Sequence, residues 1–247
     1  MKQRKQADIL GCHIDIVSMQ AATQMVEQLV DQGTPSHIIT LNAEIAYVAR
    51  DNQKLRNIIN KAALVTPDGI GVVWAAQKLG YGIRERVTGI DMIYKICELA
   101  ARRQWKIYFL GAAPGIAQKA AENLASQYPG FSVAGCRDGY FLPEDIPALL
   151  KDIKASQPHI LLVALGAPKQ EFWIDAYQRQ LRVPVCIGVG GSFDVLAGTK
   201  KRAPEIMIKL NLEWLYRLLA EPSRIKRQMV LPKFALAVLR QRLIERG

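Results

Sequence analysis

Thr40, Asn42, Asp68, Gln170 and Asp194 each stand just beyond an apolar run, and glycines cluster at the same places. Ile38-Ile39 leads into Thr40-Leu41-Asn42-Ala43-Glu44, and Ala63-Leu64-Val65 into Thr66-Pro67-Asp68-Gly69. Ile107 to Leu110 leads into Gly111-Ala112-Ala113-Pro114, and Ile160 to Leu165 into Gly166-Ala167-Pro168-Lys169-Gln170-Glu171. Val185 to Ile187 leads into Gly188-Val189-Gly190-Gly191-Ser192-Phe193-Asp194. Open parallel α/β sheets bind ligands beyond the carboxyl ends of their strands. Five such motifs therefore predict one shared site, and an enzyme.

Each motif has a plainer reading beside the chemical one. Pro67-Asp68-Gly69 suits an ordinary Asx turn, but Asp68 also ends a strand predicted to neighbour the one bearing Thr40 and Asn42. Gly190 and Gly191 could bring backbone amides close to a phosphate or sugar, or could only allow a tight turn. Gly111 opens a small-residue turn before a helix, where free amides favour a diphosphate. Gln170 carries both donor and acceptor for a sugar; Glu171 could simply complement a helix dipole. Asp194 is as ambiguous as Asp68. His13, His37 and His159 fall at strand starts, away from the motif edge.

The elements that must hold these side chains can be read from periodicity. Ser18 is placed to cap a helix through about Val30, with Ala22, Met25, Val26 and Leu29 as its apolar stripe. Further helices are expected over 43–62 (interrupted near Asp51), 71–79, 90–103, 114–127, 143–156 and 168–180. Alternation with strands from about Ile14 to Val189 predicts a Rossmann-like, mostly parallel sheet flanked by helices, an α/β body spanning 1–197. The pattern is complete by Ala197, so this body is expected to fold without the C-terminal tail.

That tail, 198–247, reads differently. The chain has 247 residues and a formal charge of +11, and from Lys200 onward twelve Lys and Arg stand against four Glu. A helix is expected from Glu205 to Ala220 and another from Lys233 to Glu245, with Arg224, Lys226 and Arg227 between them. Basic amphipathic helices can lie in a membrane interface; a helical pair packed on the body with solvated charges is the alternative. Met1 to Leu10 lacks an apolar signal core, and no stretch is long enough to span a bilayer. A cytoplasmic location is expected. Cys12, Cys97, Cys136 and Cys186 form no paired spacing, which suits reduced, buried thiols.

Several signatures are missing. There is no D-x-D triplet, Walker A loop, G-x-S-x-G elbow or zinc spacing. No metal or other cofactor is expected, and diphosphate charge would fall to backbone amides and arginines. A nucleotide-dependent oxidoreductase would need a dinucleotide fingerprint that the chain lacks. A nucleic-acid-binding module would show interleaved aromatics or a recognition helix, whereas the tail's charges accompany a long apolar face.

T-x-N-A-E (Thr40 to Glu44), P-D-G (Pro67 to Gly69), E-R-V-x-G (Glu85 to Gly89), L-G-A-A (Leu110 to Ala113), G-Y-F (Gly139 to Phe141), A-L-G-A-P-K-Q-E (Ala164 to Glu171) and G-V-G-G-S-F-D-V-x-A-G (Gly188 to Gly198) occur in this order. Lys201 to Pro204, Leu212 to Arg217 and Glu221 to Arg224 continue the series. Together they resemble the WecG/TagA/CpsF glycosyltransferase family, nearest to its branch in wall teichoic acid synthesis. Leu41 stands where proline is expected to be common in that branch. The resemblance implies inverting, metal-independent transfer of N-acetylmannosamine from UDP-N-acetylmannosamine to the C4 hydroxyl of N-acetylglucosamine on undecaprenyl diphosphate. Relatives using another UDP-hexose, such as the uronic acid, leave the donor open.

By the same resemblance Asp68 matches the base, with Thr40 and Asn42 beside it, while Arg86 and Gln170 match residues of that site. Tyr140 and Asp194 are weaker matches for donor contacts. Arg217, Arg224 and Arg227 match arginines facing the lipid diphosphate. The resemblance also implies a peripheral place on the cytoplasmic face of an anionic membrane, without nucleic acid, and a homodimer through the α/β body is plausible.

Overall fold

The computed structural model of the chain describes residues 4–222 and 225–245, without the side chains of Arg217, Lys226 and Arg227. Its centre is a six-stranded sheet of β3 (Ser36–Leu41), β4 (Leu64–Pro67), β5 (Lys106–Gly111), β6 (Ser132–Arg137), β7 (Ile160–Ala164) and β8 (Val185–Gly188). The order is β4-β3-β8-β7-β5-β6, and every pairing is parallel. The expected Rossmann-like α/β fold is thus present. Because helices cover both faces, successive strand residues are buried on opposite sides. Ile107 and Phe109 enter one core with Ile160, Leu162, Val185 and Ile187. Tyr108 and Leu110 enter another with Leu161, Val163 and Cys186.

Against the first face lie α1 (Met19–Gln32), α5 (Gly89–Arg103), α6 (Ile116–Gln127) and α9 (Ser192–Leu196). The opposite side carries α2 (Ala43–Asp51), α3 (Gln53–Lys61), α4 (Ile70–Lys78), α7 (Ile146–Ala155) and α8 (Lys169–Leu181). Ser18 caps α1 as expected, its side chain accepting from the Ala21 N–H at 3.2 Å. Asn52 makes the expected interruption after Asp51: it ends α2 and caps α3 through a 3.0 Å bond from the Leu55 N–H.

Several details depart from the sequence reading. The chain opens with an antiparallel hairpin, β1 (Gln6–Ile9) and β2 (Cys12–Asp15); β2 holds Ile14, where the first strand was expected, but pairs with β1 outside the main sheet. Asp15 fastens it to β4 by accepting from the Val65 N–H at 2.8 Å. Pro114 precedes α6 rather than starting it, because Gly115 at φ +80° takes the cap position. The single helix expected over 205–220 is two, α10 (Glu205–Lys209) and α11 (Glu213–Ala220), parted where Asn211 turns left-handed at φ +61°.

After the short α12 (Ile225–Gln228), the last helix, α13 (Val230–Ile244), begins three residues earlier than Lys233 and holds Pro232 in its first turn. Proline is tolerated there because first-turn N–H groups have no intrahelical partner. α13 packs on α2 and α4 and buries Phe234 and Val238 in the hairpin-side core. Among the described residues no helix is long and apolar enough to cross a membrane.

Candidate active site

The strand order decides which motifs meet. β4, β3, β8 and β7 are consecutive neighbours, and the residues at their carboxyl ends line a cavity of about 800 Å³. Thr40 and Asn42 come from the end of β3, Asp68 follows β4, Gln170 lies in the first turn of α8 after β7, and Gly190 and Gly191 follow β8. Arg86 reaches the cavity from the loop before α5. Gly111, Tyr140 and Asp194 do not line it. β5 stands one strand beyond β7, and Tyr140 comes after β6, one strand further out. The expected meeting of five strand ends is a meeting of four.

Gly111 has a structural duty instead. At φ +123°, a side chain there would come within 2.4 Å of the Ala164 carbonyl oxygen, so glycine is required by the approach of β7. Tyr140 is exposed. Asp194 turns the chain into the tail: its carbonyl accepts from the Thr199 and Lys200 N–H groups, both at 3.0 Å. The three histidines are likewise absent from the lining.

Asp68 sits between two helix starts. Its Oδ2 accepts from the Gly89 N–H, the first residue of α5, at 3.4 Å, and Gly69 caps α4. Thr40 is buried beside it, donating to the Gly188 carbonyl at 3.2 Å, with Gly89 packed against its side chain. Asn42 caps α2, its Oδ1 accepting from the Ile45 N–H at 3.0 Å. That leaves its amide N–H groups as the end available to a ligand.

Gln170 is buried and engaged at both ends. Its Oε1 accepts from the Gly190 N–H at 3.0 Å, and its Nε2 donates to Glu171 Oε1 at 2.9 Å. Gly188 is glycine because a Cβ there would lie 2.6 Å from Gln170 Nε2. So Gln170 props the glycine turn from behind, and the Gly190 amide expected to meet a phosphate is taken up by Gln170. Glu171 Oε2 is buried without a hydrogen-bond partner. Burial raises its pKa above the ordinary carboxyl value, against the lowering effect of the Gln170 bond.

The tail forms the opposite wall. Glu213, near the start of α11, pairs with Arg86 at 3.4 Å, and Arg86 also donates to the Ile208 carbonyl at 3.3 Å. Lys200 and Lys201 line the cavity, and Lys200 pairs with Glu221 and, at 3.9 Å, with Asp194. Lys200 was legible only as part of a charged tail; Lys201 and Glu213 stood in motifs of the family resemblance with no role assigned, and Trp74, another lining residue, was not singled out. Arg224 lies outside the described residues, as do the side chains of Arg217 and Arg227. The buried thiols are protonated: Cys12, Cys97 and Cys186 are each pushed up to about 12 by burial.

Strand ends that present a carboxylate, a buried hydroxyl and a buried amide to a cavity walled also by Arg86, Lys200 and Lys201 suit an enzyme acting on a polar, charged substrate. The family model described as "Glycosyl transferase WecG/TagA/CpsF family" matches residues 7–247, and the chain belongs to that family; it is a glycosyltransferase. Relatives named N-acetylglucosaminyldiphosphoundecaprenol N-acetyl-beta-D-mannosaminyltransferase are similar over most of its length. The protein of Bacillus spizizenii (strain ATCC 23059 / NRRL B-14472 / W23) is 37% identical over 211 residues, 85% of this chain and 81% of its own. That of Staphylococcus aureus (strain NCTC 8325 / PS 47) is 38% identical over 232 residues, 92% of this chain and 89% of its own.

Proposed function

We propose that the chain moves N-acetylmannosamine from UDP-N-acetylmannosamine to the C4 hydroxyl of N-acetylglucosamine carried on undecaprenyl diphosphate, with inversion. The observation that carries this reading is Asp68: a carboxylate at a strand end, lining the cavity with Thr40 and Asn42. Asp68 takes the proton of the acceptor hydroxyl as that oxygen attacks the anomeric carbon, and UDP leaves from the opposite face. Similarity to relatives named for this transfer supports the sugar and the acceptor.

Cations compensate the charge of the departing diphosphate. Arg86, Lys200 and Lys201 line the cavity, and they let the reaction proceed without a metal. Arg217, Arg224 and Arg227 are assigned to the acceptor's diphosphate at an anionic membrane surface. That location draws on the tail's basic excess and on exposed Ile206, Leu210, Leu219 and Met229.

Incubating the purified protein with UDP-N-acetylmannosamine and a synthetic prenyl-diphosphate N-acetylglucosamine, in the presence of EDTA, should yield the lipid-linked disaccharide by mass spectrometry. Other UDP-hexoses should react more slowly. Product only from another donor would refute the sugar assignment, and product only after adding magnesium would refute metal independence.

A further inference from the structure

The cavity is polar at the strand ends and apolar where it leaves them. Asn42, Ile45 and Val48 all line it, at three-residue spacing along one face of α2, so the wall runs outward for about 9 Å from the polar end. Trp74 on α4 and Leu231 and Ala235 on α13 line the same cavity. Apolar side chains thus form an arm between three helices. Its outer end is open: Val48, the outermost α2 residue of the wall, is 41% exposed. Met229 and Leu236, flanking the α13 residues of the arm, are exposed too.

Resting on the function proposed above, we infer that this arm binds the first isoprene units of the acceptor, next to its diphosphate. A nucleotide sugar has no apolar part to place there. A prenyl diphosphate does: its chain runs along the apolar wall to the exposed α13 surface, while Arg86, Lys200 and Lys201 stay with the departing UDP diphosphate. The occupant is therefore the acceptor's own chain, not a generic phospholipid.

Calorimetric titration with dimethylallyl diphosphate and farnesyl diphosphate, which share a head group and differ in chain length, tests this directly. The full-length protein should bind the longer ligand at least about tenfold more tightly, from burial of the added hydrocarbon. Ala235→Trp, which fills the arm, should reduce that gain to less than about threefold at an unchanged melting temperature. Val48→Asp at the exposed rim is a second variant with little risk to folding, and it should do the same. Equal affinity for the two ligands in the unaltered protein, or a full gain in folded Val48→Asp, would overturn the inference. Displacement of farnesyl diphosphate by dihexanoyl phosphatidylglycerol at equal concentration would overturn it as well, by making the arm a general lipid contact. Disaccharide formation is scored separately: a chain-length gain without product removes the proposed reaction and keeps the arm, whereas product without the gain removes the arm alone.

Discussion

Asp68 and Gln170 hold the two polar duties of the site, and they hold them differently. Asp68 is the group whose charge the proposed chemistry needs. Asp68→Asn should lower kcat by about 10²-fold or more, since an amide cannot accept the acceptor's proton; turnover within a few-fold of normal in the folded variant would remove Asp68 as base. Gln170 instead fixes the Gly190 turn, and Glu171 fixes Gln170. Glu171→Ala should loosen that turn and reduce kcat/KM, while Glu171→Gln, which keeps an acceptor for the Gln170 amide, should restore most of it. The carboxyl also leaves a pH signature. Its folded pKa is raised above the ordinary 4.5, so its contribution to stability is full below the unfolded value and is lost as pH rises through the folded one. Melting temperatures measured upward from pH 4 should fall less in Glu171→Gln than in the unaltered protein.

The tail shows what an element adds beyond its composition. α10 and α11 are tied to the body through Arg86, and α12 to α11 by the Gln228 side chain donating to the Trp214 carbonyl at 2.8 Å. α13 goes further, because Phe234 and Val238 are part of the core that α2 and α4 build with the hairpin. A chain ended at Ala197, expected from the strand–helix pattern to fold unaided, loses this cover and exposes the apolar faces of α2 and α4. It should melt lower than the full chain. Phe234→Ala isolates the effect: emptying that space should cost about 3–5 kcal/mol, measured by denaturant unfolding. An unchanged midpoint would mean that α13 contributes no core.

At the scale of the whole molecule, one buried histidine far from the chemistry sets part of the acid sensitivity. His37, at the start of β3, has its Nε2 buried without a partner, and burial lowers its pKa from 6.5 to about 3. The unfolded chain therefore binds a proton between these values that the folded protein refuses. The stability contributed by neutral His37 is full above pH 6.5 and drains as pH falls toward 3. His37→Leu should flatten that acid limb of the stability curve, and an equal slope in both proteins would contradict the assignment.

Much of the fold was written locally. Alternating apolar runs and caps such as Ser18 and Asn52 depend on neighbours a few residues away, so five of the six sheet strands, most helices and the parallel arrangement could be read from the chain alone, whereas the half-exposed β6 could not. The ordered motifs likewise marked the family. Which strand ends meet is a long-range matter: Gly111 resembles the other motif glycines in sequence, yet β5 lies outside the four strands that floor the cavity. The same holds for Gln170, whose side chain is occupied by residues 20 positions away and next door, and for Glu213, which meets Arg86 across 127 residues. Local pattern determines the elements; only their packing decides which side chains share a cavity and which hydrogen-bonding ends are already taken, because burial and pairing depend on neighbours the sequence holds far apart.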